Sequence, residues 1–433
     1  VLGNISPSGR LTDTYAYDAL SSAVASGLMT EVGNNGNHYT NLLVEGAGSA
    51  FSGYDGAATY MEYAEGIYVG YRYYETAAEM EYIDFDTVVQ YPFGYGMSYA
   101  EFTWEIDESG TEIPSSPNGE SSFNVKVNVT NESEIAARDT VQLYLTLDKG
   151  ELTAGRLDRS AVTLVAYAKT PVIEPHDTES VTLTFSAEDM ASYDDKGLYF
   201  VNGSYVIEAG EYTLALRTDS HTDKADGLTR TFSVERPIVY AEESSVADAD
   251  TSVTKRPTDL VTAVNLMGSY DDSILSGTAY GMGIEYLGLD SGAEKWAHGT
   301  GRKGARTAPD SLVSFIADGA NMSITNKGYK DMSSYDGTVG ADGSLSVTDF
   351  GDTPYGDESW QKLVEQLPMS EMTNLILFGG YMTSAAPSVG KEATTDSDGP
   401  CGIAFIFRQG EFPGVSYPCY TVVAATWNPS VAY

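Results

Sequence analysis

Apolar and polar residues alternate along several short stretches between residues 119 and 235. Such period-two alternation buries one face of a β-strand and leaves the other face in water. Turn-forming clusters such as Asn202-Gly203 separate the stretches. About seven short strands fit into this length, so the pattern predicts an immunoglobulin-like β-sandwich. The apolar positions of the clearest strands are Phe123, Val125, Val127 and Val129; Val141, Leu143, Leu145 and Leu147; Val181, Leu183 and Phe185; and Tyr212, Leu214 and Leu216.

A helical period replaces this alternation near the end of the chain, where Pro368 ends the first predicted helix. Ser370 is placed to cap a second helix through its hydroxyl, and residues 375–378 form the apolar segment of that helix. A predicted strand at 402–407 and a helix around 422–427 follow, which indicates an α/β region. The first helix carries its apolar face at Trp360, Leu363, Val364 and Leu367.

Two further regions carry weaker patterns. Residues 1–105 begin in a loop and include an aromatic-rich stretch at 60–75 whose composition favours β-structure. Residues 236–355 are rich in Gly, Ser and Asp and are predicted to be a linker or irregular region without a core of its own. The chain of 433 residues is therefore predicted to be multidomain, with α/β and all-β parts.

The charge balance narrows the classes of partner. The formal net charge is −38, from 24 basic and 62 acidic residues. Nucleic acids and anionic membrane surfaces both select clustered Lys and Arg, so neither is expected to bind this chain. No apolar run approaches the roughly 20 residues of a membrane span. No signal peptide is visible, but a processed N-terminus would look the same, so cytoplasmic and extracytoplasmic bacterial locations both stay open.

Cysteine and histidine usage gives no metal pattern. Cys401 and Cys419 are the only cysteines, and none of the four histidines is adjacent to either. The two cysteines are predicted to be buried free thiols, with one local disulfide or one reactive thiol as alternatives. Chemistry without a metal or cofactor is the expectation.

Four stretches resemble segments of glycoside hydrolase family 3. They are 4–11 (Asn-Ile-Ser-Pro-Ser-Gly-Arg-Leu), 91–99 (Tyr-Pro-Phe-Gly-Tyr-Gly-Met-Ser-Tyr), 397–400 (Ser-Asp-Gly-Pro) and 425–429 (Ala-Thr-Trp-Asn-Pro). In most members the Asp-Gly-Pro segment lies near the N-terminus and the first two lie near the C-terminus. The order here is reversed, which resembles the subgroup with inverted domain order and implies a partial chain.

The resemblance implies a domain organisation. Residues 1–105 would be the C-terminal part of an α/β sandwich domain, and residues 119–235 a fibronectin type III-like β-sandwich. Residues 236–355 match the family poorly and stay a linker. Residues 356–433 would be the first part of a (β/α)8 barrel, whose active site forms at strand ends.

One substrate-binding residue is implied, Asp398. In the family, the aspartate of Asp-Gly-Pro hydrogen-bonds hydroxyls of the sugar in subsite −1. A carboxylate accepts two charge-assisted bonds from vicinal hydroxyls, while Gly and Pro fix the turn that aims it. The alternative is an ordinary turn without a ligand. Asp396 and Arg408 nearby are predicted to be solvated loop and surface charges.

The resemblance also implies a retaining, exo-acting β-glycosidase, in the first place a β-glucosidase. Such enzymes need two carboxylates roughly 5–5.5 Å apart. The family's nucleophile lies in a segment ending Ser-Asp-Trp, which does not occur here, and its acid/base glutamate lies upstream of Ser-Gly-Arg-Leu. Both catalytic carboxylates are therefore expected outside this chain, in a second polypeptide or in further segments of the same enzyme.

Several alternatives stay open. The chain could be a non-catalytic carbohydrate-binding or scaffold fragment, a β-xylosidase or an N-acetylhexosaminidase of the same family, or a subunit of a homo-oligomer. The tyrosines at 68–74 and the aromatic residues of 91–99 are predicted to pack between domains, with stacking on sugars as the alternative. Gly94 and Gly96 do not form a nucleotide-binding loop, because no third glycine in register and no helix follows them.

Overall fold

The computed structural model describes residues 5–18, 21, 38–43, 57–59, 65–259, 287–298, 305–310, 312–314, 344–354, 356–378, 382–395 and 418–431. The helices in these ranges are α1 Tyr71–Glu79, α2 Phe85–Val88, α3 Lys149–Ala154, α4 Ala293–His298, α5 Glu358–Val364, α6 Met369–Leu377 and α7 Tyr420–Ala424. The strands are β1 Tyr15–Ala16, β2 His38–Leu43, β3 Ala57–Thr59, β4 Val89–Tyr91, β5 Phe102–Ile106, β6 Ser122–Asn131, β7 Thr140–Thr146, β8 Val162–Lys169, β9 Thr178–Ser186, β10 Ser192–Asp194, β11 Ser204–Ile207, β12 Gly210–Arg217, β13 Thr229–Val234, β14 Ile238–Val239, β15 Ala305–Arg306, β16 Met382–Thr383 and β17 Thr394–Thr395. The chain divides into two compact units, Val1–Ala320 with Val423–Tyr433, and Asn321–Val422.

Two antiparallel sheets share one core in the first unit. The strands β13, β12, β7 and β8 form a four-stranded sheet in that order, and β5, β6 and β9 form a three-stranded sheet. Phe123 of β6 stacks on Phe185 with 4.6 Å between ring centroids, and it meets Phe232 of the other sheet at 5.1 Å. The inner residues of both sheets belong to one buried cluster. The predicted β-sandwich and its four clearest strands are confirmed.

The sandwich extends beyond the predicted limits at both ends. Phe102–Ile106 pairs with β6 along its whole length, so the predicted start at residue 119 is too late. Beyond the predicted end, Ile238–Val239 pairs with β11, and Tyr240 is fully buried. The beginning of the 236–355 region is therefore packed against the sandwich.

The aromatic-rich stretch is partly helical, which corrects the predicted β-structure. Helix α1 covers Tyr71–Glu79, and its Tyr73 stacks on Trp296 with 5.6 Å between ring centroids. The Tyr73 hydroxyl donates to the Trp296 carbonyl, and the Tyr71 hydroxyl accepts the Leu164 N–H at 3.0 Å. These contacts with distant segments outweigh local preference. The tyrosines at 68–74 serve packing, as predicted.

Glu75 ties α1 to the loop that follows β12. Its buried carboxylate accepts the Ser220 hydroxyl at 2.6 Å and lies 2.9 Å from Nδ1 of His221. Burial lowers the pKa of His221, but the hydrogen bond and charge of Glu75 outweigh burial, so the pKa is raised above its usual 6.5. The charge of Arg217 opposes this increase and the charge of Asp219 supports it.

A pH dependence follows from the Glu75–His221 pair. The His221 pKa is raised on folding. The stability that the pair adds to the folded protein is therefore fully present below the unfolded-state pKa of His221, and it is lost as pH rises through the folded-state pKa. The free energy of unfolding of the parent protein, relative to that of His221→Gln, is expected to be larger at about pH 5.5 than at about pH 8.5. Urea unfolding of both proteins at both pH values measures this difference.

His176 supplies the control for that experiment. It pairs with Glu134 at 3.1 Å, and both side chains are exposed. Exposed pairs contribute little to stability, so His176→Asn should show little change between the two pH values. A pH-independent difference for His221→Gln would contradict the expected role of the buried pair.

The second unit has a small core of its own. Helix α5 confirms the first predicted helix, and Asp357 caps it by accepting the Ser359 N–H at 2.9 Å. The predicted cap of the next helix is wrong. Pro368 holds the N-cap position of α6 in an extended conformation, so the helix begins at Met369 and Ser370 already lies in its first turn. The core residues of this unit are Phe350, Leu363, Ala386 and Val389.

The end of the described chain corrects one prediction. The helix predicted around 422–427 is present as Tyr420–Ala424. Cys419 precedes it as an exposed free thiol, so the predicted burial of this cysteine is wrong. The physical reason is that α7 is short and buries none of its own residues. Cys401 and the strand predicted at 402–407 lie outside the described residues. Among the described helices, none has the length and apolar character to span a bilayer.

Candidate functional site

The substrate-binding residue implied by the resemblance, Asp398, lies outside the described residues. The same holds for the neighbouring charges Asp396 and Arg408. The structure does bring together three of the four segments that carry the resemblance. We call their meeting point the three-segment junction and define it by residues 9–11, 94–96 and 425–427.

Backbone hydrogen bonds hold the three-segment junction together. Leu11 donates its N–H to the Tyr95 carbonyl at 2.8 Å, and Gly94 donates its N–H to the Leu11 carbonyl at 2.9 Å. Arg10 donates its N–H to the Ala425 carbonyl, also at 2.9 Å. These bonds satisfy main-chain groups that would otherwise need water or another partner. The first two segments are thus joined to each other, and the third is joined to the first.

Two glycines permit this close approach. A Cβ atom at Gly9 would lie 2.8 Å from the carbonyl oxygen of Ala425. A Cβ atom at Gly96 would overlap the carbonyl oxygen of Gly9. Both obstacles are main-chain atoms, which cannot rotate away as a flexible side chain could. Glycine is therefore required at both positions because of space.

Lys169 joins the last segment to the β-sandwich, and Trp427 joins it to the 91–99 segment. The Lys169 ammonium donates to the Thr426 carbonyl at 2.9 Å and to the Thr140 hydroxyl at 3.0 Å. Burial lowers the pKa of Lys169 to about 8. The Trp427 ring packs against Phe93, with 5.3 Å between ring centroids.

Arg10 carries the junction's main electrostatic contact. Its Nη2 lies 2.8 Å from Oδ1 of Asp139, and the two side chains are 8% and 4% exposed. The Asp139 carboxylate also accepts the Trp104 indole N–H at 2.9 Å and the Thr140 N–H at 2.8 Å. Three different groups therefore neutralise or satisfy this buried carboxylate. Asp139 was not recognisable from the sequence, because no local pattern marks it as the partner of Arg10.

A mostly apolar cavity of about 420 Å³ opens at the junction. Leu11, Tyr91, Tyr95 and Met97 form its walls, together with Arg10. No carboxylate lines this cavity within the described part of the chain, so it holds no pair for acid/base catalysis. An apolar group or the face of a ring would fit its walls.

The aromatic residues of 91–99 have divided roles. Phe93 stacks on Tyr71 with 4.6 Å between ring centroids, which agrees with the predicted packing. Tyr99 is 66% exposed, so the predicted packing is wrong for this residue, whereas Tyr91 is 40% exposed and its ring lies 5.1 Å from the Tyr95 ring. Tyr91 is the last residue of β4, and Tyr99 lies in the bend before β5. Across the described residues, no group of three or more His, Cys, Asp or Glu side chains is arranged to hold a metal ion.

Comparison with known proteins shows which proteins this chain is similar to. A family model described as a fibronectin type III-like domain matches residues 139–220, within the observed β-sandwich. Beta-glucosidase A from Butyrivibrio fibrisolvens is 26% identical over 441 residues, which cover 100% of this chain and 45% of that protein. A beta-glucosidase from Ruminococcus albus is 31% identical over 52% of this chain and 19% of that protein. The chain resembles the β-glucosidases of glycoside hydrolase family 3.

This chain matches only part of each of these proteins. The chain spans less than half the length of the relatives it matches. A further relative, an exo-alpha-(1->6)-L-arabinopyranosidase from Bifidobacterium breve, is 27% identical over 53% of this chain and 23% of that protein. Relatives of this chain therefore act on more than one sugar. The alignment with the Butyrivibrio protein runs through the whole chain.

Proposed function

We propose that this chain is part of a retaining, exo-acting β-glucosidase that releases terminal, non-reducing β-D-glucosyl residues. The observation that carries the proposal is the alignment of the entire chain with one β-glucosidase. The three-segment junction supports it, because three segments that resemble family signatures meet there through backbone hydrogen bonds.

Substrate binding and catalysis would involve both this chain and the rest of the enzyme. Asp398 would bind the sugar by accepting hydrogen bonds from two neighbouring hydroxyl groups. The nucleophile that attacks the anomeric carbon and the acid that protonates the leaving oxygen would lie outside this chain. Residues 1–105 would then complete an α/β sandwich domain, and residues 356–433 would begin the barrel.

Intact mass and glycosidase activity, measured on the same purified material, test this proposal. The active material is expected to contain either a polypeptide heavier than the 46.4 kDa of this chain or a second polypeptide. It is expected to hydrolyse p-nitrophenyl β-D-glucoside faster than the β-xyloside, the β-N-acetylglucosaminide or the α-L-arabinopyranoside.

Each outcome of this panel has a distinct meaning. Preference for another aryl glycoside would overturn the assigned sugar and keep the assigned reaction. Absence of hydrolysis of all four substrates, by material that includes upstream and downstream regions, would overturn the reaction as well. The chain would then be a non-catalytic carbohydrate-binding or scaffold part. Full activity in material of 46.4 kDa alone would overturn the placement of the catalytic carboxylates outside this chain.

A further inference from the structure

The methionine side chains in the described ranges differ widely in exposure. Met97 is 70% exposed and Met382 is 46% exposed, whereas Met80 and Met190 are 5% and 8% exposed. The other two described methionines are partly buried. Met97 is therefore the most exposed methionine in the part of the chain that the structure describes.

Hydrogen bonds hold the backbone around Met97 in place. Gly96, which precedes it, is packed into the three-segment junction. Ser98, which follows it, places its hydroxyl 2.8 Å from the hydroxyl of Ser6, and the Ser6 hydroxyl accepts the Tyr99 N–H at 2.9 Å. The side chain of Met97 is therefore presented to solvent from an anchored stretch of backbone.

Met97 also forms part of the wall of the apolar cavity of about 420 Å³ at the three-segment junction, which we call the junction cavity. Leu11, Tyr91 and Tyr95 form the walls around it, and the rings of the two tyrosines lie 5.1 Å apart. A thioether is apolar and polarisable, so it suits aromatic neighbours. A sulfoxide in its place would add a polar oxygen to the same wall.

We propose that Met97 is an oxidation site for hydrogen peroxide and that its sulfoxide makes the junction cavity polar. The sulfur atom donates a lone pair to one peroxide oxygen, so an S–O bond forms as the O–O bond breaks. The sulfur loses two electrons, and the second oxygen leaves as hydroxide and takes up the remaining proton to give water. A methionine sulfoxide reductase with a dithiol reverses the change, because the oxygen then leaves as water and the dithiol becomes a disulfide.

The other described methionines lack one of the two properties that Met97 combines. Met80 and Met190 belong to the core of the β-sandwich, so peroxide reaches them only when that core opens. Met382 is exposed, but it lies in the second unit and is not among the residues that line the junction cavity. Cys419 is an exposed free thiol, which peroxide also attacks, so thiols are blocked before the test.

Site-resolved mass spectrometry measures the rate of oxidation at each methionine. The unaltered chain, with its thiols blocked by N-ethylmaleimide, is treated with hydrogen peroxide, and each methionine peptide is followed over time. Met97 is expected to oxidise at least about 10-fold faster than Met80 and Met190, because the two buried residues react only from opened states. Equal rates at the three residues would overturn the assignment of Met97 as the oxidation site.

Binding of Nile red, a neutral apolar dye, measures the change in the cavity. Oxidation of the parent chain is expected to weaken dye binding about 10-fold, since the dye would strip water from the sulfoxide. Met97→Leu keeps a similar apolar volume without the sulfur, so peroxide should leave its dye binding unchanged. The matched Met382→Leu variant should lose dye binding on oxidation as the parent chain does.

Three further outcomes would overturn the proposal. The first is equal dye binding by the parent chain before and after oxidation, including no binding in either state. The second is an equal loss in Met97→Leu, which would assign the effect to another methionine. If Met97→Leu fails to fold, reductase treatment of the oxidised parent chain replaces it, and a loss that persists after the Met97 sulfoxide has disappeared is the third. None of these measurements uses hydrolysis of a glycoside, so this proposal and the proposed function can fail independently.

Discussion

Replacing Asp139 with alanine is expected to lower the free energy of unfolding by about 3–5 kcal/mol. The change would leave the Arg10 guanidinium, which is 8% exposed, without its counter-charge. It would also remove the acceptor of the Trp104 indole N–H and of the Thr140 N–H. A buried charge that has lost its partner costs far more than an exposed one. Equilibrium urea unfolding, followed by circular dichroism, measures the difference.

An exposed ion pair provides the matched control. Glu108 pairs with Arg230, and its side chain is 67% exposed. Glu108→Ala is expected to cost less than about 1 kcal/mol. Asp139→Asn keeps an oxygen for the Trp104 indole and removes only the charge, so most of the loss should persist. If Asp139→Ala lowers the free energy of unfolding no more than Glu108→Ala does, the buried pair does not stabilise the junction.

Replacing Asp398 with alanine is expected to lower kcat/KM for an aryl β-glucoside by about 100- to 10,000-fold. The proposed role gives Asp398 two charge-assisted hydrogen bonds to the sugar, and each is worth about 1.5–3 kcal/mol. Steady-state kinetics on the complete enzyme, including its upstream and downstream regions, measure the effect.

Asp396 supplies the control because it lies two residues earlier and is predicted to be a solvated loop charge. Asp396→Ala should keep kcat/KM close to that of the parent enzyme. Asp398→Asn keeps one acceptor oxygen without the charge, so its loss should be intermediate. Undiminished activity of Asp398→Ala would remove the assignment of this residue to the sugar.

The β-sandwich could be predicted from the sequence because its signal is local. Each long strand carries its own alternation, as in Ser122–Asn131, where alternate residues are buried. Phe102–Ile106 alternates in the same way, but its five residues are too few to stand out without a partner strand. Short strands are recognised only through their pairing, and pairing is not visible in one sequence.

Helix α1 and the Arg10–Asp139 pair could not be predicted because the residues that stabilise them are far away in the sequence. The indole on which Tyr73 stacks belongs to Trp296, which is 223 residues away in sequence. Asp139 is 129 residues away from Arg10. Local composition favours strands around Tyr73, and the packing of distant segments reverses that preference.

The hydrogen bonds of the three-segment junction do not depend on the order of the segments along the polypeptide. They join main-chain atoms of separate segments, so they depend on where those segments lie and not on which is synthesised first. Circular permutation, which rejoins a polypeptide at new ends, would leave each of these bonds intact. The reversed succession of signature segments in this chain therefore requires no new packing at the place where they meet.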